Sequence, residues 1–113
     1  MRTEIFDREG ILMRQPVHPD PETFQITDIF HALSDPVRLQ IVQALAKVKE
    51  ESCGSFNYSL TKGTISHHFK VLREAGVTYT RIEGKHRYMS LRRRELDERF
   101  PGLLDVVLRE SRR

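Results

Sequence analysis

Between Thr64 and Gly76 the chain carries two sets of side chains at helical spacing, suited to different work. Ile65, His68, Phe69 and Leu72 recur at i, i+3, i+4 and i+7, along one side of a 3.6-residue helix, and would face a core. Thr64, Ser66, His67 and Lys70 then face away. That outward set offers two hydroxyls, an imidazole and a cation, groups that bond phosphate oxygens and base edges. Gly76 stands where a left-handed residue ends a helix.

Other chemistry finds little to work with. Ser66 and His67 are neighbours, so on a helix they diverge by about 100° and cannot form a nucleophile pair. The sequence has no glycine-rich phosphate loop after a strand, no paired cysteines and no His-x-x-x-His. No catalytic residue is therefore assigned, and an enzyme is not expected. Cys53 is the one cysteine. It has no intramolecular disulfide partner and reads as a small, partly buried apolar group, with a redox switch as the alternative.

The 113 residues suit one domain. Charged residues at 31% and hydrophobic ones at 38% argue against wholesale disorder, and no apolar run approaches the ~20 residues of a membrane span. The mixed-charge N-terminus lacks the apolar stretch of a secretion signal, which points to cytoplasmic residence. The net charge of +3 hides an asymmetry. Residues 62–94 hold nine Lys and Arg against Glu74 and Glu83, a local +7, while residues 1–61 sum to −3 and residues 95–113 to −1. Such a basic segment between acidic flanks is an electrostatic footprint for nucleic acid.

Several elements must position that segment. Residues 1–21, with Gly10, Pro16, Pro19 and Pro21, lack a period and read as an extended or mobile arm with one short helical turn at most. The domain proper is 22–113. A first helix over 22–33 carries Phe24, Ile26, Ile29, Phe30 and Leu33; Ser34 or Asp35 then caps a second, 36–47, with Pro36 at its first position. A short third helix is placed at 56–61 on Phe56, Tyr58 and Leu60. The fourth spans 64–75. Alternation then predicts a hairpin over 77–91 around Gly84, with Tyr79, Tyr88 and Met89 as half-buried strand residues in preference to a stacking platform. A C-terminal helix, 93–110, is interrupted near Pro101, and Arg92-Arg93-Arg94 open it on the solvent side. The fold class is mainly α with a small β-hairpin.

A donor-rich helix directly before a basic hairpin is the order of a winged helix-turn-helix, whose recognition helix enters the major groove while the hairpin grips the backbone. The run His31-Ala32-Leu33-Ser34-Asp35-Pro36-Val37-Arg38-Leu39-Gln40-Ile41-Val42, the Thr64–Gly76 helix and the Glu83-Gly84-Lys85 turn resemble the ArsR family of bacterial transcriptional repressors. The likeness spans roughly residues 24–108. It implies a homodimer on a near-palindromic operator, with contacts from the first and last helices: Phe24, Ile26, Ile29, Phe30, Leu103, Leu104, Val107 and Leu108. Those helices also carry more apolar surface than one small core needs.

The sequence departs from the family's metal sensors. Cys53 stands alone where paired cysteines are usual, and the final helix has no histidine; Asp97, Glu98, Asp105 and Glu110 there are ordinary surface acids. No metal and no cofactor is expected. His68, on the apolar side, is read as a core histidine. The predicted DNA-binding residues are Lys62, Thr64, Ser66, His67, Lys70, Arg73, Lys85, His86 and Arg87, and the partner is a double-stranded DNA operator. The rival is a dimeric winged-helix protein-interaction module without specific DNA binding.

Overall fold

In the computed structural model the helices are α1 (Ile26–Leu33), α2 (Pro36–Leu45), α3 (Lys62–Ala75), α4 (Arg93–Arg99) and α5 (Leu103–Arg109). The strands are β1 (Glu4–Phe6), β2 (Leu12–Arg14), β3 (Glu51–Ser52), β4 (Thr78–Glu83) and β5 (His86–Leu91). Residues 4–6, 12–56 and 58–109 are described, with side chains from Gln15 onward. The order is that of a winged helix-turn-helix.

The local signals act as their chemistry requires. Asp35 is extended and its carboxylate accepts from the amides of Val37 and Arg38, satisfying two groups that have no partner inside α2. Thr61 does the same for α3 by accepting from Thr64 N at 3.1 Å, so α3 begins two residues before the predicted start and holds Lys62 in its first turn. Gly76 closes α3 at φ 93°. A Cβ there would lie 2.3 Å from Phe24 Cε1, so glycine is required both by conformation and by the ring above it.

Three boundaries differ from expectation. The helix predicted over 22–33 starts at Ile26, because Phe24 and Gln25 are extended while the Phe24 ring enters the core; only a 3-10 turn, Pro21–Thr23, precedes it. No helix forms at 56–61 among the described residues of that stretch; Asn57 lies outside them. Phe56, Tyr58 and Leu60 are two apart, an extended period, and Ser59 has φ 58°, which a right-handed helix excludes. A strand, β3, and a 3-10 turn, Cys53–Ser55, stand just before it. The C-terminal helix divides into α4 and α5: proline disfavours the helical conformation at Phe100, which takes φ −134° and ψ 73°, and Gly102 follows at φ 87°. Its predicted last residue, Glu110, is outside the described residues.

Ile29, Ala32, Ile41, Val42, Leu45, Leu72, Val77, Met89, Leu96 and Leu104 form the core. Full burial of a side chain such as Leu72 contributes about 1.5–3 kcal/mol. The wing is antiparallel, with Thr80 opposite Met89 and Glu83 opposite His86, and β3 adds to the far side of β5, giving the order β3-β5-β4. Residues 4–6 and 12–14 of the predicted arm pair as an antiparallel ribbon.

Candidate nucleic-acid interface

α3 presents its predicted outward residues to solvent. Lys62, Thr64, Ser66, His67 and Lys70 are exposed, while His68 and Leu72 are buried. Thr64 also belongs to the cap, its Oγ1 accepting from Thr61 Oγ1 at 2.8 Å. Arg73 is half-buried at the end of the strip. Lys85, His86 and Arg87 are exposed at the wing tip, beyond Gly84 at φ 60°.

Charge is more selective than the linear count implies. Arg81 pairs with Glu50 at 2.7 Å and with Glu83 at 3.3 Å, Arg92 with Glu95 at 2.8 Å, and Arg94 with Glu98 at 3.2 Å. Within residues 62–94, Lys62, Lys70, Arg73, Lys85, Arg87 and Arg93 make no ion pair, and five of these six lie on α3 or the wing tip. Cations without an internal partner are those that can exchange small counterions for phosphate. Tyr88 is no stacking platform, since the Arg81 guanidinium covers its ring at 4.6 Å. Tyr79 is exposed rather than half-buried, but the Arg92 guanidinium covers its ring at 4.3 Å, and Met89 is fully buried.

Arg92 contradicts the solvent-side reading. Only 4% exposed, it lies over the rings of Tyr79 at 4.3 Å and Phe24 at 4.8 Å, pairs with Glu95, and donates through Nη1 to Pro19 O at 2.9 Å. Its backbone N also donates to Val77 O at 3.0 Å, which continues the strand geometry and turns the side chain inward. Arg92 is structural, while Arg93 and Arg94 are exposed, Arg94 with Glu98 as its partner.

Sequence reasoning also missed the support behind α3. Arg38 is buried on α2 and donates through Nε to Ala32 O at 2.7 Å, through Nη2 to His31 O at 3.2 Å and through Nη1 to His68 Nδ1 at 3.1 Å. An arginine only donates, so His68 Nδ1 accepts and its proton sits on Nε2. One guanidinium thereby ties the end of α1 to the middle of α3. The signal was present: Arg38 shares the helical phase of Ile41, Val42 and Leu45.

Of the predicted dimer residues, Phe24, Ile29 and Leu104 are spent in the core of the single chain. Ile29 and Leu104 lie on the inner sides of α1 and α5, and the Phe24 ring enters the core from the extended segment before α1. Ile26 and Phe30 are exposed on α1, as is Val106 on α5, with Leu103, Val107 and Leu108 partly buried.

Cys53 is half-buried, and burial pushes its thiol up to about 11. At neutral pH about one molecule in 10⁴ would hold the reactive thiolate, which argues against a thiol switch. Among the described residues no group of three His, Cys, Asp or Glu is placed to hold a metal ion, and no helix is long and apolar enough to cross a membrane.

Residues 35–79 match the family described as "Bacterial regulatory protein, arsR family". The chain is 44% identical over 82 residues to the HTH-type transcriptional regulator YceK of Bacillus subtilis (strain 168), covering 70% of this chain and 82% of that protein. A solved ArsR family transcriptional regulator shares the fold with a TM-score of 0.60 at 18% identity, over 77% of this chain and 91% of that one. The transcriptional repressor BigR from Xylella fastidiosa gives a TM-score of 0.54 at 28% identity, over 66% and 85%.

Proposed function

The chain belongs to the ArsR family of bacterial regulatory proteins and is a DNA-binding transcriptional regulator rather than an enzyme, and from that premise we propose that it is a cytoplasmic homodimeric repressor that occupies a near-palindromic operator. Ser66, His67 and Lys70 enter the major groove, which at about 12 Å wide admits a helix. Lys62 and Thr64 meet the backbone at the start of α3, and Arg73 at its end. Lys85, His86 and Arg87 hold the wing on phosphate. The second copy docks on Ile26 and Phe30 of α1 and on Leu103, Val107 and Leu108 of α5.

One observation carries this reading: the outward strip of α3 is polar and exposed, its cations have no internal partner, and its back is fixed in the core by Leu72 and the Arg38–His68 contact. Selection of bound duplexes from a genomic pool supplies the operator. His67→Ala or Lys70→Ala should then weaken operator binding by about 1–3 kcal/mol at matched salt. Unchanged affinity in both would remove α3 as the reading element. Lys85→Ala should weaken all duplexes alike and reduce the log–log salt slope by about 0.9.

A further inference from the structure

The wing has an unusual outer edge. In the order β3-β5-β4 no strand among the described residues covers the far side of β4, yet side chains from 62 and 67 residues earlier in the chain take its backbone groups. His18 Nε2 accepts from Thr80 N at 2.9 Å. Gln15 Oε1 accepts from Ile82 N at 3.0 Å, and Gln15 Nε2 donates to Ile82 O at 3.0 Å, so one carboxamide supplies the donor and acceptor that a neighbouring strand residue would. The same segment is tied down at its other end, where Pro19 O accepts from Arg92 and Pro21 O accepts from Arg99 Nε at 2.8 Å. A cavity of about 770 Å³ lies between Gln15–His18 and the outer face of β4 and β5. The hold on the wing therefore depends on these polar bonds more than on close apolar packing.

We propose that Gln15 and His18 are positioning residues for the wing, and that the His18–Thr80 bond is a proton-sensitive latch whose opening frees the β4 edge and weakens DNA binding. This rests on the reading of Lys85, His86 and Arg87 as phosphate contacts. Only a neutral His18 has a lone pair on Nε2 for the Thr80 amide; the protonated ring turns a donor toward a donor. Burial, then the guanidiniums of Arg92 and of Arg73 on α3, hold the His18 pKa below its ordinary value, with Glu95 of α4 acting in the opposite sense. The Tyr79 ring meets it edge-on at 5.1 Å. Because the folded-state pKa is lowered, the latch is intact above the ordinary imidazole range and is lost as the pH falls through the lowered value.

The test uses the full chain and a mixed-sequence duplex at fixed low salt. His18→Gln keeps an acceptor of the same reach that does not ionise, and His18→Leu has none. Every other ionisable group is common to the variants, so the readout is the ratio of the wild-type Kd to the His18→Gln Kd. From about pH 8 to about pH 5 that ratio should rise about threefold to tenfold, and His18→Leu should bind more weakly than His18→Gln throughout. Amide exchange adds a readout independent of DNA: protection of Thr80 N–H should fall with pH in the wild type and not in His18→Gln, while Ile82 N–H, held by Gln15, changes less. A flat Kd ratio while Lys85→Ala still weakens binding would overturn the positioning role. An unchanged Kd for Lys85→Ala would overturn the wing reading itself, and the positioning role with it.

Discussion

α3 and the wing, the two elements proposed to meet DNA, are held in place by different means. α3 is fixed by burial: Leu72 and Ala75 lie in the core, Ile65 and Phe69 pack against it, and Thr61 and Gly76 close its ends. The wing buries Thr78, Thr80, Ile82 and Met89 and is held at its margins as well, by β3 with the Glu50–Arg81 pair on one side and by Gln15 and His18 on the other. Burial is non-directional and collective, so it resists pH and salt. Margin bonds are directional and few, so they yield to a proton or one substitution. α3 thus has the stiffer mount, and the hairpin beside it leans more on bonds at its margins.

The contrast can be broken most forcefully at the α3 terminus. Gly76→Ala demands φ 93° of a residue with a Cβ and drives that atom into Phe24; a loss of about 3 kcal/mol or more is expected in urea unfolding. A mild effect would mean that α3 is less firmly mounted than its burial implies. Next comes the polar rivet in that mount. Arg38→Met or His68→Leu should each cost about 2–3 kcal/mol, since each strands buried polar groups, whereas the double variant should cost less than their sum. Additive losses would show that the two side chains act independently. The smallest effect belongs to the wing: Gln15→Ala should lower global stability by about 1 kcal/mol or less. Its signature is local, faster exchange at Ile82 N–H with α3 amides unchanged. If α3 amides respond as well, the two mounts are one cooperative unit.

These expectations separate what was readable from what was not. The phase of Ile65, His68, Phe69 and Leu72 placed the faces of α3, and the type of residue at 35, 36 and 76 placed helix ends, because caps and turns act within a few residues. The same reasoning failed at 56–61, where a few aromatic and aliphatic residues suggested a helix but their period of two and the conformation of Ser59 made the chain extended; Phe56 reaches the Phe69 ring at 5.8 Å from there. It failed again for Arg92, since a run of three arginines looks uniformly solvated until a tertiary site for one of them exists. Phe24, Ile29 and Leu104 were assigned to a second copy when the chain's own core claims them.

The sequence by itself determined the element order, the donor-bearing face of α3, the basic tip of the wing and the likeness to one family of regulators, because periodicity, capping and charge are local properties that survive without coordinates. Only the tertiary structure decided which cations of residues 62–94 are unpaired, which apolar residues the single chain leaves exposed, and that Gln15, His18, Arg38 and Arg92 tie distant segments together. Those roles depend on hydrogen bonds and ion pairs between residues as far apart as 73 positions, as for Arg92 and Pro19. No local pattern encodes which distant backbone group a polar side chain will reach.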